Sequence, residues 1–291
     1  MIHEDINQLI EEITRNYPQE DIFEARKEYQ KVSGEVFEDD KSYESRVGCF
    51  LEWYTFDRPL PESNKTPIEE FLAERDESVS PEKVELAEAI SQSIQGLFMT
   101  VKIKPDTITL VDIFDDTKYQ IPETQGSILF NTDDIFEARL IPFKGQYCFT
   151  YHFCYHPKPT VGFIKTKVKN LKLLEESALK KEKQLLKDLA SPQKTLAKVS
   201  AKIEKLNGKL ATTTKENKLA DLREKIAGLE SETERSKNLI SDLNRQLTEL
   251  RTEVIQGTHR QNRFALMRKL SYMSLKWERS RQIDIQDIYH D

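Results

Sequence analysis

The stretch from residue 165 to 256 most limits what this chain can fold into. It contains only two glycines, Gly208 and Gly228, and one proline, Pro192. Apolar residues recur through it at alternating steps of three and four. Leu185, Leu189, Pro192, Leu196, Val199, Ile203, Leu206 and Leu210 make one line. Leu219, Leu222, Ile226, Leu229, Thr233, Ser236, Ile240, Leu243, Leu247, Leu250 and Val254 make a second. This spacing places a stripe on one helix face and is the seam of a coiled coil. The lines fall out of phase across the Thr-rich residues 211–218, which are poor in helix formers. The arms are similar in length, so the spacing predicts an antiparallel coiled-coil hairpin over 165–256, tip at 211–218, about 60 Å long. Facing residues then have numbers summing to about 428: Leu189 with Ile240, Leu185 with Leu243, Ala178 with Leu250, Leu174 with Val254. Pro192 removes one helical hydrogen bond and falls opposite the polar Ser236, so a kink is expected there.

The flanking segments read differently. Residues 1–95 carry helical periods: Ile6, Leu9, Ile10 and Ile13, then a run from Asp21 to Val32, then Phe50, Leu51, Trp53, Tyr54 and Phe56. Thr66-Pro67-Ile68-Glu69 is a capping-box signature, and Ser80-Pro81 opens a further helix. From Leu97 the period becomes two. Strands are predicted at Leu97–Lys104, Thr107–Phe114, Tyr119–Ile121, Ser127–Asn131, Ile135–Phe143 and Gln146–His156. So many short strands in so few residues suggest a small antiparallel β-barrel over 96–164. Beyond Gly257 a basic helix and tail occupy 257–291, with a stripe of Leu266, Leu270, Met273 and Trp277. The expected class is α+β: an N-terminal helical domain, the barrel, the hairpin and a C-terminal helix. The hexapeptide DIFEAR occurs at Asp21–Arg26 and at Asp134–Arg139, but its flanks differ and we read it as coincidence, not a repeat.

FLEWYTFDRP (Phe50–Pro59), followed by TPIEEFL, GLFMTVKI, LVDIF, YQIPETQGSILFNTDDIFEARLIPF and QYCF, resembles a bacterial arrangement. There a helical segment precedes a small β-barrel, and some members also carry a SEC-C motif. The likeness spans about residues 45–155. Thr132 stands where those proteins have a glycine before an acidic residue, and the cysteine-dense SEC-C cluster is absent here. The resemblance implies the fold and brings no activity with it.

Hydrophobic residues make up 37% and charged residues 32%, below and above the ~45–50% and ~25% of ordinary domains. A modest core plus a long solvated helical part accounts for both. The net charge of −6 conceals an acidic head, −14 over residues 1–95, and a lysine-rich stretch, +8 over 165–210. Cys49, Cys148 and Cys154 do not make a disulfide framework, the acidic N-terminus lacks a signal-like apolar run, and no stretch suits a membrane span. A cytoplasmic protein without membrane contact is expected.

Motifs of catalysis do not surface. The glycines are too scattered for a phosphate-binding loop, and HExxH and GxSxG are missing. No enzyme activity and no cofactor is expected. GQYCFTYHFCYHPKP (Gly145–Pro159) splits by strand alternation into an aromatic row and a row of Cys148, Thr150, His152, Cys154 and His156. His152, Cys154 and His156 are the only metal candidates, but residues two apart on a strand are ~6.5 Å apart, and no second ligand segment is evident. No metal is therefore expected, and the aromatic row is read as core. Arg260, Arg263, Arg268, Lys269 and Lys276 form a basic surface for an acidic partner, the nearest being the protein's own head. Two functional readings remain. One is a non-enzymatic interaction or scaffold factor that binds a protein partner through the hairpin, or pairs as a homodimer. The other is a nucleic-acid-, ribosome- or transcription-associated factor using the lysine-rich hairpin and the barrel, with nucleic-acid binding expected to be weak.

Overall fold

Ile6, Leu9, Ile10 and Ile13 are all buried along α1 (Ile2–Thr14) in the computed structural model, which describes residues 2–75, 79–122, 130–280 and 282–290. They pack with Ile68 of α4 (Pro67–Glu74), with Leu86, Ala87 and Ile90 of α5 (Pro81–Ser91), and with Phe56 and Ile141. The capping box forms: the Glu69 N–H donates to Thr66 Oγ1 at 3.4 Å and the Thr66 N–H to Glu69 Oε2 at 2.8 Å. A second core joins Ala25 of α2 (Gln19–Ser33) to Phe50, Trp53 and Tyr54 of α3 (Tyr43–Phe56). The chain divides into two compact units. One comprises residues 1–170 and 263–291, the other residues 171–262.

Among the described residues the sheet of the first unit has six strands: β1 (Ile94–Lys104), β2 (Thr107–Asp112), β3 (Lys118–Pro122), β4 (Ile135–Phe143), β5 (Gln146–Phe149) and β6 (Cys154–His156). Their order is β3-β2-β1-β4-β5, all antiparallel, and β6 also pairs with β4. The expected strand at Ser127–Asn131 falls partly outside the described residues, and Phe130 and Asn131 are not in a strand. The expected barrel is a curled half-barrel. Its edge strands are four and five residues long, and no ladder joins β3 to β5 among the described residues. Their rings meet instead, Tyr119 edge-on to Tyr147 at 5.1 Å.

The single strand expected over Gln146–His156 is two strands. Tyr151 takes a left-handed φ of 72° and interrupts the ladder. Ser45 of α3 fills the gap. Its Oγ accepts from the Phe153 N–H and donates to the Phe153 carbonyl, both at 2.9 Å. Alternation nevertheless survives the break. Phe149, with Tyr147, Tyr151 and Phe153, packs on Phe98, Leu110, Phe136 and Leu140 on one face of the sheet. On the other face Cys148 packs into the α1–α4–α5 core.

The second unit is a helical hairpin. Helix α6 (Val161–Thr212) passes unbroken through Pro192, and Thr213, Thr214 and Lys215 turn it into α7 (Glu216–Glu249). Every residue of both seam lines is buried or half-buried, Pro192 and Ser236 included. Ala178, Leu185, Leu247 and Leu250 form one cluster with Leu243 and Val254 against it, as the summed-number rule requires. The rule fails at its last layer. Leu174 is 74% exposed, because the alternation calls for a step of three from Ala178, and the buried Glu175 takes that seam position. The helix does not end at Gly257. A π-helical stretch, Leu250–His259, carries it into α8 (Arg260–Arg279), and α9 (Ile285–Ile288) follows. With 66% helix and one antiparallel sheet, the fold is α+β. No described helix is long and apolar enough to cross a membrane.

Two outcomes follow from this packing. Leu189→Cys with Ile240→Cys should cross-link within one chain under mild oxidation, read by non-reducing gel mobility and mass; cross-links only between chains would contradict the pairing. On α8, Arg279 donates to both oxygens of Asp40 at 2.7 and 2.6 Å, which holds that carboxyl below its ordinary value of 3.8. A depressed folded pKa contributes stability above the unfolded value and loses it as pH falls. Arg279 is 34% exposed, so screening limits the effect. Arg279→Ala should cost about 0.5–1 kcal/mol at pH 7 in denaturant titrations, with the gap closing below pH 3.8.

Candidate functional site

A strand that alternates core and solvent rarely sends charges to its second face when that face is also covered. β4 does so. Phe136, Ala138 and Leu140 enter the aromatic core, while Glu137 and Arg139 turn the other way beneath helices and stay 6% and 2% exposed. Helix α3 supplies what they meet. Arg46, Cys49 and Glu52, at steps of three, share one face.

Arg139 is the first centre. Its Nε donates to Glu52 Oε2 at 3.2 Å, its Nη2 to Asp57 just past the end of α3, and its Nη1 to Ser93 Oγ at 2.9 Å. The guanidinium lies over the Phe56 ring, 5.2 Å from its centroid. Burial disfavours this cation, but Asp57 and Glu52 outweigh it and raise its pKa. The second oxygen of Glu52 binds His152 Nδ1 at 2.6 Å. Gly48 makes that possible: a Cβ there would sit 2.2 Å from the His152 ring. So one helical turn carries both the gap for the imidazole and the carboxylate that receives it.

The second centre lies along β4 and β6. Glu137 stands directly opposite Cys154 in the ladder, and His156 follows on the same face. The ligand atoms of these three buried residues lie within 4.8 Å of one another. Glu137 Oε1 and His156 Nε2 are 3.5 Å apart, and neither has a hydrogen-bond partner. Tyr289 Oη meets His156 Nδ1 at 3.2 Å, and Cys154 Sγ donates to Ser271 Oγ of α8 at 3.4 Å. Arg46 Nη1 donates to the Ser271 carbonyl at 3.0 Å and to its hydroxyl at 2.8 Å. Burial pushes the Glu137 carboxyl up, opposed by His156, and pushes the Cys154 thiol up, opposed by Arg46.

Two small cavities flank this layer, sharing Tyr29 and Cys49. One is lined by Arg46, Cys154 and Ser271, the other by Glu137, Arg139 and Arg268. Each offers about 20 Å³, room for a single water. Bodies of that size can bind an ion or a water, not an organic substrate.

The metal candidates from sequence do not stay together. His152 goes to Glu52, while Cys154 and His156 converge with Glu137. The basic residues of α8 also part company. Arg268 stacks on Trp53 and Tyr29 at 4.5 and 5.2 Å, and burial lowers its pKa. Arg263 lies over Phe114, Lys276 over Tyr272, and Arg260 and Lys269 are exposed. Sequence reasoning missed Arg46, Glu52, Asp57, Glu137 and Arg139. A usable signal was present for two: Glu-Ala-Arg inside an apolar strand, in the second DIFEAR. The first copy lies in α2, the second enters β4, so the two share letters and not structure.

Residues 1–187 match one family model, described as "Family of unknown function (DUF7986)". No curated protein and no solved structure matches the chain.

Arg139→Leu should strand Glu52 and Asp57 and cost about 3–5 kcal/mol in urea unfolding. Adding Asp57→Asn should recover part of that loss, because one stranded charge is gone; a strictly additive double variant would count against the pairing.

Proposed function

This chain belongs to the family of unknown function DUF7986, and we propose that it is a non-enzymatic protein-interaction factor that binds a protein partner through its helical hairpin. The reading is carried by Leu179 and Leu186. They lie seven residues apart on α6, beside the seam, and are 39% and 41% exposed. A spacing of seven keeps both on one flank, a second apolar line parallel to the first. A seam that works as an antiparallel coiled coil would use such a flank to receive a further helix. Leu173, Leu174 and Leu239 are also exposed on this unit.

A second reading has its own support. Lys180, Lys181, Lys183, Lys187, Lys194, Lys198, Lys202, Lys205 and Lys209 are all exposed on α6. Such a face attracts phosphates without reading sequence, and the attraction falls steeply with salt.

Affinity purification of the full chain against its Leu179→Lys, Leu186→Lys double variant separates the two. The variant should keep its circular dichroism spectrum and lose the captured protein, whether a different protein or a second copy of the chain. A partner held equally by both forms would overturn the first reading. Nanomolar RNA or DNA binding at about 150 mM salt, unaffected by the leucine changes, would install the second.

A further inference from the structure

The geometry points to a binding site for one borderline-soft divalent cation of the zinc class, formed by Glu137, Cys154 and His156. A structural metal site draws ligands from more than one segment. The row His152, Cys154 and His156 cannot provide that, but the β4–β6 ladder does, because it sets Glu137 opposite Cys154. The three ligand atoms lie within 4.8 Å of one another, and all three residues are at least nine-tenths buried.

Two details favour an ion over a mere polar core. Glu137 Oε1 and His156 Nε2 face each other at 3.5 Å without a hydrogen-bond partner. Their ion pair is long, and in a buried layer two groups that make no proper hydrogen bond cost stability. In a tetrahedral shell with bonds of about 2.0–2.3 Å, neighbouring ligand atoms sit about 3.3–3.8 Å apart, which matches this pair. The other imidazole nitrogen, Nδ1, is held by Tyr289 at 3.2 Å. That is the arrangement by which a second hydrogen bond fixes a ligating histidine and leaves Nε2 for the metal.

The remaining shell is consistent. Glu137 lines one flanking cavity and Cys154 the other, so two of the three ligands border space for a water as fourth ligand. Glu137 and Cys154, once deprotonated, carry two negative charges, and a dication leaves the group neutral beside the Arg46 cation. Binding therefore releases the proton of the Cys154 thiol. A thiolate with an imidazole and one carboxylate suits zinc better than magnesium or calcium.

The test uses the full chain stripped with a chelator, then titrated with Co²⁺ alone and with Zn²⁺ alone. One equivalent of Co²⁺ should give a thiolate-to-cobalt charge-transfer band that Zn²⁺ abolishes. Cys154→Ser should lose the band, while Cys49→Ser and Cys148→Ser keep it. Zn²⁺ should raise the melting temperature of the wild type and leave that of Glu137→Gln unchanged. Tyr289→Phe should weaken zinc binding roughly tenfold. Folded wild-type protein that gives no band and retains no stoichiometric zinc would overturn the proposal, whatever the variants do. A band that persists in Cys154→Ser would overturn it equally.

Discussion

Arg139 brings a permanent charge into the layer between β4 and α3, where it is 2% exposed, and much of the first unit is arranged to answer that charge. Its three donors reach α3 through Glu52, the chain just beyond α3 through Asp57, and the link between α5 and β1 through Ser93. Desolvating a guanidinium is costly unless its partners are complete and well placed. Glu52 spends its remaining oxygen on His152, so the imidazole is fixed by the same demand. Glu52 on α3, the glycine at residue 48 and the imidazole of His152 are thereby joined in one set of contacts.

That dependence also explains why the two sides of the sheet differ. The aromatic side needs only shape: Phe98, Phe136, Phe149 and their neighbours fill space and tolerate exchange of one apolar group for another. The helical side needs partners at fixed distances. It holds both centres, and a change to either group of a pair leaves the other buried and charged.

How legible each part was in the sequence follows from how far apart the interacting residues lie. The hairpin seams, the capping box at Thr66 and the helical runs of the head depend on neighbours three or four residues away, and spacing alone reveals them. The sheet was legible in its alternation but not in its closure, because closure depends on whether β3 and β5 are long enough to share a ladder. The interruption at Tyr151 carries no glycine, proline or asparagine to announce it; a bulky residue takes a positive φ there, and Ser45 of α3 binds the backbone of Phe153 two residues on. Arg139 finds Glu52 and Asp57 across 87 and 82 residues. Glu137 joins Cys154 and His156 only through the register of two strands. No local pattern encodes such meetings. The basic residues of α8 are a related case: spacing shows that Arg268 and Lys269 are basic, but not that the first lies over the Trp53 ring while the second is exposed.

The interrupted edge has a further consequence, for how other chains can approach. An open sheet normally offers its outermost strand as a template on which a foreign segment can hydrogen-bond. Here β5 offers four residues before Tyr151 turns the backbone away, and β6 only three after it. At the opposite edge β3 ends on Pro122, which has no amide hydrogen to give. An invading strand would meet too few consecutive donors and acceptors on either side to hold its register. Within the described residues, then, the outline of the half-barrel itself leaves a second sheet only short runs to pair with.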